Sequence, residues 1–72
     1  MRREDYKNFQ IVSRAIPLRD RATWRSRVHF EIHSGNEVVV KPITELPGEY
    51  TTEELALQAG IEYGKKIINA AH

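Results

Sequence analysis

The chain has 72 residues, of which 29% are charged and 40% hydrophobic, and it contains no cysteine. This length suits one domain near the lower limit at which a single core holds a fold. The lack of cysteine excludes disulfides and thiolate metal sites and favours a cytoplasmic location. The opening MRREDYKNFQ lacks the apolar run of a signal peptide, and no segment has the roughly 20 apolar residues of a transmembrane helix.

Charge is unevenly distributed along the chain. Residues 1–36 hold eight Lys or Arg against four Asp or Glu (+4), and residues 37–72 hold three against six (−3), which sums to +1. This asymmetry points to an anionic partner for the first half. The pI of about 8.1, however, is lower than is typical of nucleic-acid-binding domains, whose pI usually exceeds about 9.

The first part of the chain predicts one strand. Residues 1–5 are charged, and we expect them to be flexible. Residues 6–15 alternate in polarity, with Phe9, Ile11 and Ser13 on one face, which predicts the first strand. Pro17 is expected to end it, and the polar segment LRDRAT then connects it to the next strand.

The second predicted strand has the clearest period of two. From residue 23 to residue 33, Trp24, Val28 and Phe30 share one face with Ser26 and Ile32, while the alternating positions are charged or histidine. This pattern is typical of a strand with one buried and one solvated face.

A third strand is predicted over residues 37–41, after the turn Ser34-Gly35-Asn36. A three-residue loop opposes Ile32 to Val38 and so aligns apolar side chains on one face, whereas a two-residue loop sets Phe30 against Lys41. We therefore predict the three-residue loop. Pro42 lacks a backbone N–H and should end this strand or lie at an edge.

The longest predicted element is a helix over residues 51–70. Thr51 and Glu54 fit a capping box, and Tyr50 and Leu55 fit a hydrophobic staple. An apolar stripe runs along one side and includes Gly60 and Gly64, which predicts close approach of the helix backbone to the sheet. The resulting fold is α+β and forms one domain over residues 1–72: a three-stranded antiparallel sheet over residues 6–44 with one C-terminal helix packed across one face (β-β-β-α).

The chain offers few candidates for catalysis. His29, Glu31 and His33 share a strand face, but the two histidines are about 13 Å apart along a strand, which is too far to bind one metal ion. No serine near a histidine lies in a nucleophile motif, and the glycines form no phosphate-binding loop. We therefore predict a non-catalytic protein without a metal or cofactor.

Two binding functions are open. The helix should cover the Trp24 face of the sheet, so the other face would present a basic surface suited to nucleic acid or simply to water. The candidate residues are Arg14, Arg19, Arg21, Arg25, Arg27, His29 and Lys41. The alternative is a homo-oligomerising or protein-binding domain that associates through an edge strand or through Leu57, Ile61 and Ile68 of the helix.

The run Gly48-Glu49-Tyr50-Thr51-Thr52-Glu53-Glu54-Leu55-Ala56, after three strands, resembles the segment that leads into the helix of AP2-like DNA-binding domains. These include the small N-terminal domains of some phage-type integrases. The opening Tyr6-Lys7-Asn8-Phe9 is similar to the start of that family, with Asn8 in place of a glycine. The resemblance implies a sheet lying in the major groove, with Arg25 and Arg27 where base contacts are expected. The same outline resembles small uncharacterised bacterial proteins.

Overall fold

The computed structural model describes residues 1–71 and contains an antiparallel sheet of five strands and one C-terminal helix. The elements are β1 (Arg2–Tyr6), β2 (Phe9–Leu18), β3 (Thr23–Ser34), β4 (Glu37–Val40), β5 (Thr44–Glu45) and α1 (Glu53–Ala70). The order across the sheet is β1-β2-β3-β4, and β5 also pairs with β3. The predicted α+β class is confirmed, but the sheet has more strands than the three expected. No helix in residues 1–71 combines the length and apolar character needed to cross a membrane.

Strand β1 corrects the expectation that residues 1–5 are flexible. It pairs with β2 along its whole length, from Arg2 opposite Ser13 to Tyr6 opposite Phe9. Four of its five residues are charged and only Tyr6 packs against the core, so no hydrophobic period marks it in the sequence. Arg2 donates from Nη2 to both carboxylate oxygens of Glu54 on α1, at 2.8 and 2.6 Å, and lowers the pKa of that carboxyl. Strand β1 is therefore fixed by backbone pairing and by contacts with α1.

The turn between β1 and β2 consists of Lys7 and Asn8, with φ of 45° and 68°. Positive φ at both central residues is the pattern of a type I′ turn, which suits the twist of a two-residue hairpin. Asn8 has left-handed geometry, which asparagine tolerates better than most residues other than glycine. Lys7 and the Tyr6 hydroxyl both donate to Asn69 Oδ1 near the end of α1, at 2.6 and 3.0 Å, which anchors this turn.

Strand β2 continues through Pro17 to Leu18, so the prediction that Pro17 ends the strand is wrong. Pro17 lies opposite Trp24 of β3. The backbone N–H and C=O of Trp24 bond instead to Tyr50, both at 2.8 Å, on the far side of β3. Pro17 and Trp24 therefore form a non-hydrogen-bonded pair, so β3 needs no N–H from Pro17. On its other side Pro17 lies beyond the end of β1, where β2 is an edge and needs no donor either.

The β3–β4 hairpin has a two-residue loop, which corrects the predicted three-residue loop. Ser34 opposes Glu37, and only Gly35 of the two loop residues has positive φ, at 60°, the φ pattern of a type II′ turn. Lys41 donates its backbone N–H to Phe30 at 2.9 Å, which is the pairing that a three-residue loop would have avoided. The valines of β4 therefore face opposite sides from those expected.

The short strand β5 continues the edge after an irregularity. Val40 of β4 opposes Glu31 and Thr44 of β5 opposes Val28, so residues 41–43 lie opposite the two residues 29 and 30. One extra residue on an edge strand is a β-bulge, which increases the local twist. The bulge contains Pro42, consistent with its expected place at an edge.

Helix α1 begins two residues later than predicted. Its N-cap is Thr52, whose hydroxyl accepts from the Leu55 backbone N–H at 3.1 Å. The Thr51–Glu54 capping box is therefore wrong, because Glu54 is occupied by Arg2. The staple through Leu55 is also wrong, because this side chain is exposed.

The core lies between α1 and the sheet, on the Trp24 face as predicted. Ser13 and Ser26, both buried, donate to the helix carbonyls of Leu57 and Ala56 at 2.9 and 2.7 Å. A Cβ atom added at Gly60 would lie 2.0 Å from Ser13 Oγ. This confirms the predicted close approach at Gly60. The buried hydrophobic residues around this contact are Ile11, Val28, Leu46, Ile61 and Ile68.

We expect Gly60→Ala to lower the free energy of unfolding by about 1–3 kcal/mol, although alanine favours helix by about 1 kcal/mol. The added methyl overlaps Ser13, whose buried hydroxyl is held by the Leu57 carbonyl. Urea unfolding followed by circular dichroism measures the change, with exposed Lys66→Ala on the same helix as control. A Gly60→Ala protein as stable as the wild type would contradict the close contact.

Candidate nucleic-acid interface

The open face is the side of the sheet that α1 does not cover. Because Ser13 and Ser26 point to the helix, the alternation of the strands places Arg14 of β2 and Arg25, Arg27, His29 and Glu31 of β3 on the open face. This face is not uniformly exposed to solvent, because Val12 and His29, which oppose each other, are 0% and 5% exposed. The open face is thus divided by a buried patch into two polar regions.

One polar region centres on Glu31. Its carboxylate accepts from Arg3 Nη1 at 2.9 Å and lies 3.0 Å from His29 Nε2 and 3.3 Å from His33 Nε2. The hydrogen bond with His29 lowers the pKa of Glu31 to about 2, with smaller contributions from Arg3 and His33. This end of the open face is therefore electrostatically satisfied within the protein.

The histidines of the open face act as partners of Glu31. Both bond the same carboxylate from opposite sides, and no metal-binding group of His, Cys, Asp or Glu occurs within residues 1–71. His29 is also buried, so its side chain offers little surface to a ligand. Among the predicted basic residues, His29 is thereby a structural group.

The other polar region holds three arginines. Arg14 lies directly opposite Arg27 in the β2–β3 register, and Arg25 is two residues from Arg27 on the same side of β3. Arg27 donates from Nε to Glu45 at 3.0 Å. Within residues 1–71, Arg14 and Arg25 have no direct ion-pair partner. We call these three residues the arginine patch.

Arg19 and Arg21 lie in the loop between β2 and β3, beyond the arginine patch. Arg19 is exposed, and Arg21 forms an ion pair with Glu49. Glu49 also accepts from the Thr23 hydroxyl at 2.8 Å, which together with Arg21 lowers the pKa of its carboxyl. The structure thus brings both loop arginines to the same end of the sheet as the patch, with Arg21 partly neutralised.

Lys41 does not belong to this surface, which corrects its predicted place. The two-residue loop sets Lys41 opposite Phe30, so its side chain lies on the helix side of the sheet. There it borders an apolar groove with Phe30, Pro42 and Ile67. The predicted basic set is therefore reduced to arginines.

The helix residues proposed for self-association are also corrected. Leu57, Ile61 and Ile68 are 7%, 1% and 3% exposed and pack in the core, so they offer no surface to a partner. The sheet has more strands than expected and covers the wider stripe of α1. The exposed large apolar residues of the helix are Leu55 and Ile67.

Sequence reasoning missed the acidic partners of the arginines. Glu45 and Glu49 are remote from Arg27 and Arg21 in sequence and reach them only because β5 and Tyr50 pair with β3. Arg3 was missed because no hydrophobic period marks its strand. The excess of acidic residues in the second half of the chain was the one available signal.

Comparisons with family models, with curated proteins and with solved structures found no match. The resemblance to AP2-like domains therefore stays a prediction from sequence.

The low pKa of Glu31 predicts acid-sensitive stability. A carboxyl whose pKa is lowered on folding stabilises the fold above its unfolded pKa, near 4.5, and loses this effect as pH falls towards about 2. We therefore expect wild type to be more stable than Glu31→Gln near neutral pH, with a difference that narrows between about pH 5 and pH 2. Urea unfolding across this range measures it.

Asp20→Asn, which removes an exposed loop carboxylate, controls for the change in net charge. A difference between wild type and Glu31→Gln that stays constant with pH would contradict the role assigned to Glu31.

Proposed function

We propose that this protein is a non-catalytic module that binds nucleic acid through the arginine patch of its open face. The observation that carries the proposal is the direct opposition of Arg14 and Arg27 on neighbouring strands, with Arg25 beside them. Opposed side chains have Cβ atoms about 4.5–5.5 Å apart, and like charges at that separation destabilise a sheet. A bound phosphate group would convert this repulsion into attraction.

The chemistry of the patch suits a phosphate backbone. Arginine donates in a planar fork that matches phosphate oxygens and stays charged at all physiological pH values. A two-stranded antiparallel ribbon is narrow enough to enter the major groove of duplex DNA, and here β5 and Tyr50 add to the β2–β3 hairpin on the β3 side. The long β2–β3 hairpin, of 10 and 12 residues, carries the patch and both loop arginines.

The neighbouring carboxylates limit the strength of this binding. Glu45 and Glu49 each hold one arginine, so a nucleic acid must compete with these ion pairs. We therefore expect binding that depends strongly on salt and is dominated by phosphate contacts.

Removal of an arginine tests the proposal. At low salt, duplex DNA should shift the amide resonances of β2 and β3, and Arg14→Ala and Arg25→Ala should each weaken binding and reduce the salt slope by about 0.9 per lost phosphate contact. Lys66→Ala, which removes one exposed positive charge from the helix, is the matched control. The proposal is wrong if duplex DNA, single-stranded DNA and RNA all leave these amides unshifted.

Removal of a competing carboxylate gives the opposite prediction. Glu45→Gln should tighten binding, because it frees the Arg27 guanidinium that Glu45 now holds at 3.0 Å. Fluorescence anisotropy with a labelled duplex measures the change. Glu62→Gln, which removes an exposed carboxylate on the helix, controls for overall charge. Equal affinities of Glu45→Gln and Glu62→Gln would show that Arg27 does not contact the nucleic acid.

A further inference from the structure

Strand β4 is an edge strand with an unusual surface. It pairs with β3 on one side, and no other strand of residues 1–71 lies along its outer side. Its three valines, Val38, Val39 and Val40, are 52%, 45% and 58% exposed. An open edge with exposed β-branched side chains is a template for pairing with another strand.

The backbone of β4 defines which groups are free. Lys41 donates its N–H to Phe30 of β3, and Ser34 opposes Glu37 across the tight turn. In an antiparallel ladder alternate residues bond the same neighbour, so Glu37, Val39 and Lys41 direct their backbone groups to β3. Val38 and Val40 consequently direct their N–H and C=O groups to the open edge.

The charges at the two ends of β4 are complementary to each other. Glu37 and Lys41 flank the valines, are exposed, and have no ion-pair partner within residues 1–71. If a second β4 runs antiparallel with Val39 opposite Val39, then Glu37 of each copy opposes Lys41 of the other. All five opposed pairs then match in charge or in apolar character.

This register also satisfies the free backbone groups. It sets Val38 opposite Val40 of the second copy, and these are the two residues whose N–H and C=O groups face outward. A shift by one residue would set outward groups against inward ones, and a shift by two would oppose Glu37 or Lys41 to Val39. Only the register centred on Val39 meets both requirements.

The surroundings of β4 limit pairing to this segment. Pro42 and the bulge follow Lys41 directly, and the type II′ turn precedes Glu37. On the helix side, an apolar groove of about 400 Å³ lined by Pro42 and Ile67 lies beside the end of β4. A second copy would therefore add its Val39 next to a surface that is already apolar.

We infer that the protein forms a symmetric homodimer in which β4 pairs antiparallel with β4 of a second copy, centred on Val39. The partner is a copy of the chain because charge and backbone register are both self-complementary. This association does not depend on nucleic acid.

Sedimentation velocity over a concentration series extending to the millimolar range tests the inference. The wild type should approach twice the 8.4 kDa of one chain. Glu37→Lys and Lys41→Glu should each weaken the dimer about tenfold, because each opposes like charges at two places. An equimolar mixture of the two variants should restore dimerisation, because both lysines of the first variant then oppose glutamates of the second. A wild type that is monomeric throughout would overturn the inference.

A separate variant tests the contribution of backbone hydrogen bonds to the dimer. Val40→Pro removes an N–H that β3 does not use, so it should abolish the dimer while leaving the fold intact by circular dichroism. Val40→Thr keeps the N–H and a similar shape and should still dimerise. If both single charge variants, their mixture and Val40→Pro all dimerise as the wild type does, the interface lies elsewhere and the inference is wrong.

Discussion

The fold depends on the close contact between the backbone of α1 and the sheet at Gly60, Ser13 and Ser26. The space above Ser13 is too small for a side chain, and the two serine hydroxyls bond helix carbonyls directly. Small residues on both surfaces allow this approach, and the buried hydroxyls stay satisfied because the carbonyls are within reach. The position of α1 in turn determines which face of the sheet remains open.

The elements predicted well are those in which one buried side produces a regular pattern of apolar residues in the sequence. Strand β3 alternates cleanly because one face meets the core, and α1 shows its stripe and its two glycines for the same reason. Strand β1 could not be found in this way, because its residues contact β2 through the backbone and α1 through charged side chains such as Arg2. Strand β5 is too short to show a period and is set by the bulge before it.

The error in the β3–β4 hairpin has a specific physical cause. A three-residue loop would bring Val38 and Val40 towards the core, and the structure exposes both. The turn preference of Gly35-Asn36 outweighed the apparent hydrophobic match, because β4 has little core to join. That one-residue difference moved Lys41 to the helix side of the sheet and removed it from the candidate site.

The candidate site was only partly visible in the sequence. Alternation along β2 and β3 was enough to place Arg14, Arg25 and Arg27 on one face. The carboxylates that compete for these arginines arrive through long-range pairing, which no local pattern encodes. The burial of His29 was equally hidden, since it depends on Val12 opposite it on β2 and on its contact with Glu31.

The register proposed for the β4–β4 pair, with Val39 opposite Val39, has a further geometric consequence. In the proposed dimer, pairing centred on Val39 would place a two-fold axis perpendicular to the sheet, with both helices on one side and both arginine patches on the other. Val39 opposes Ile32, and Arg27 lies five residues further along β3. With about 3.3 Å per residue and about 4.8 Å between strands, the two Arg27 positions are on the order of 35 Å apart. Dimeric DNA-binding proteins contact half-sites at a similar separation, about one turn of the double helix, so the proposed dimer and the proposed nucleic-acid binding together imply a preference for a palindromic duplex over a random one.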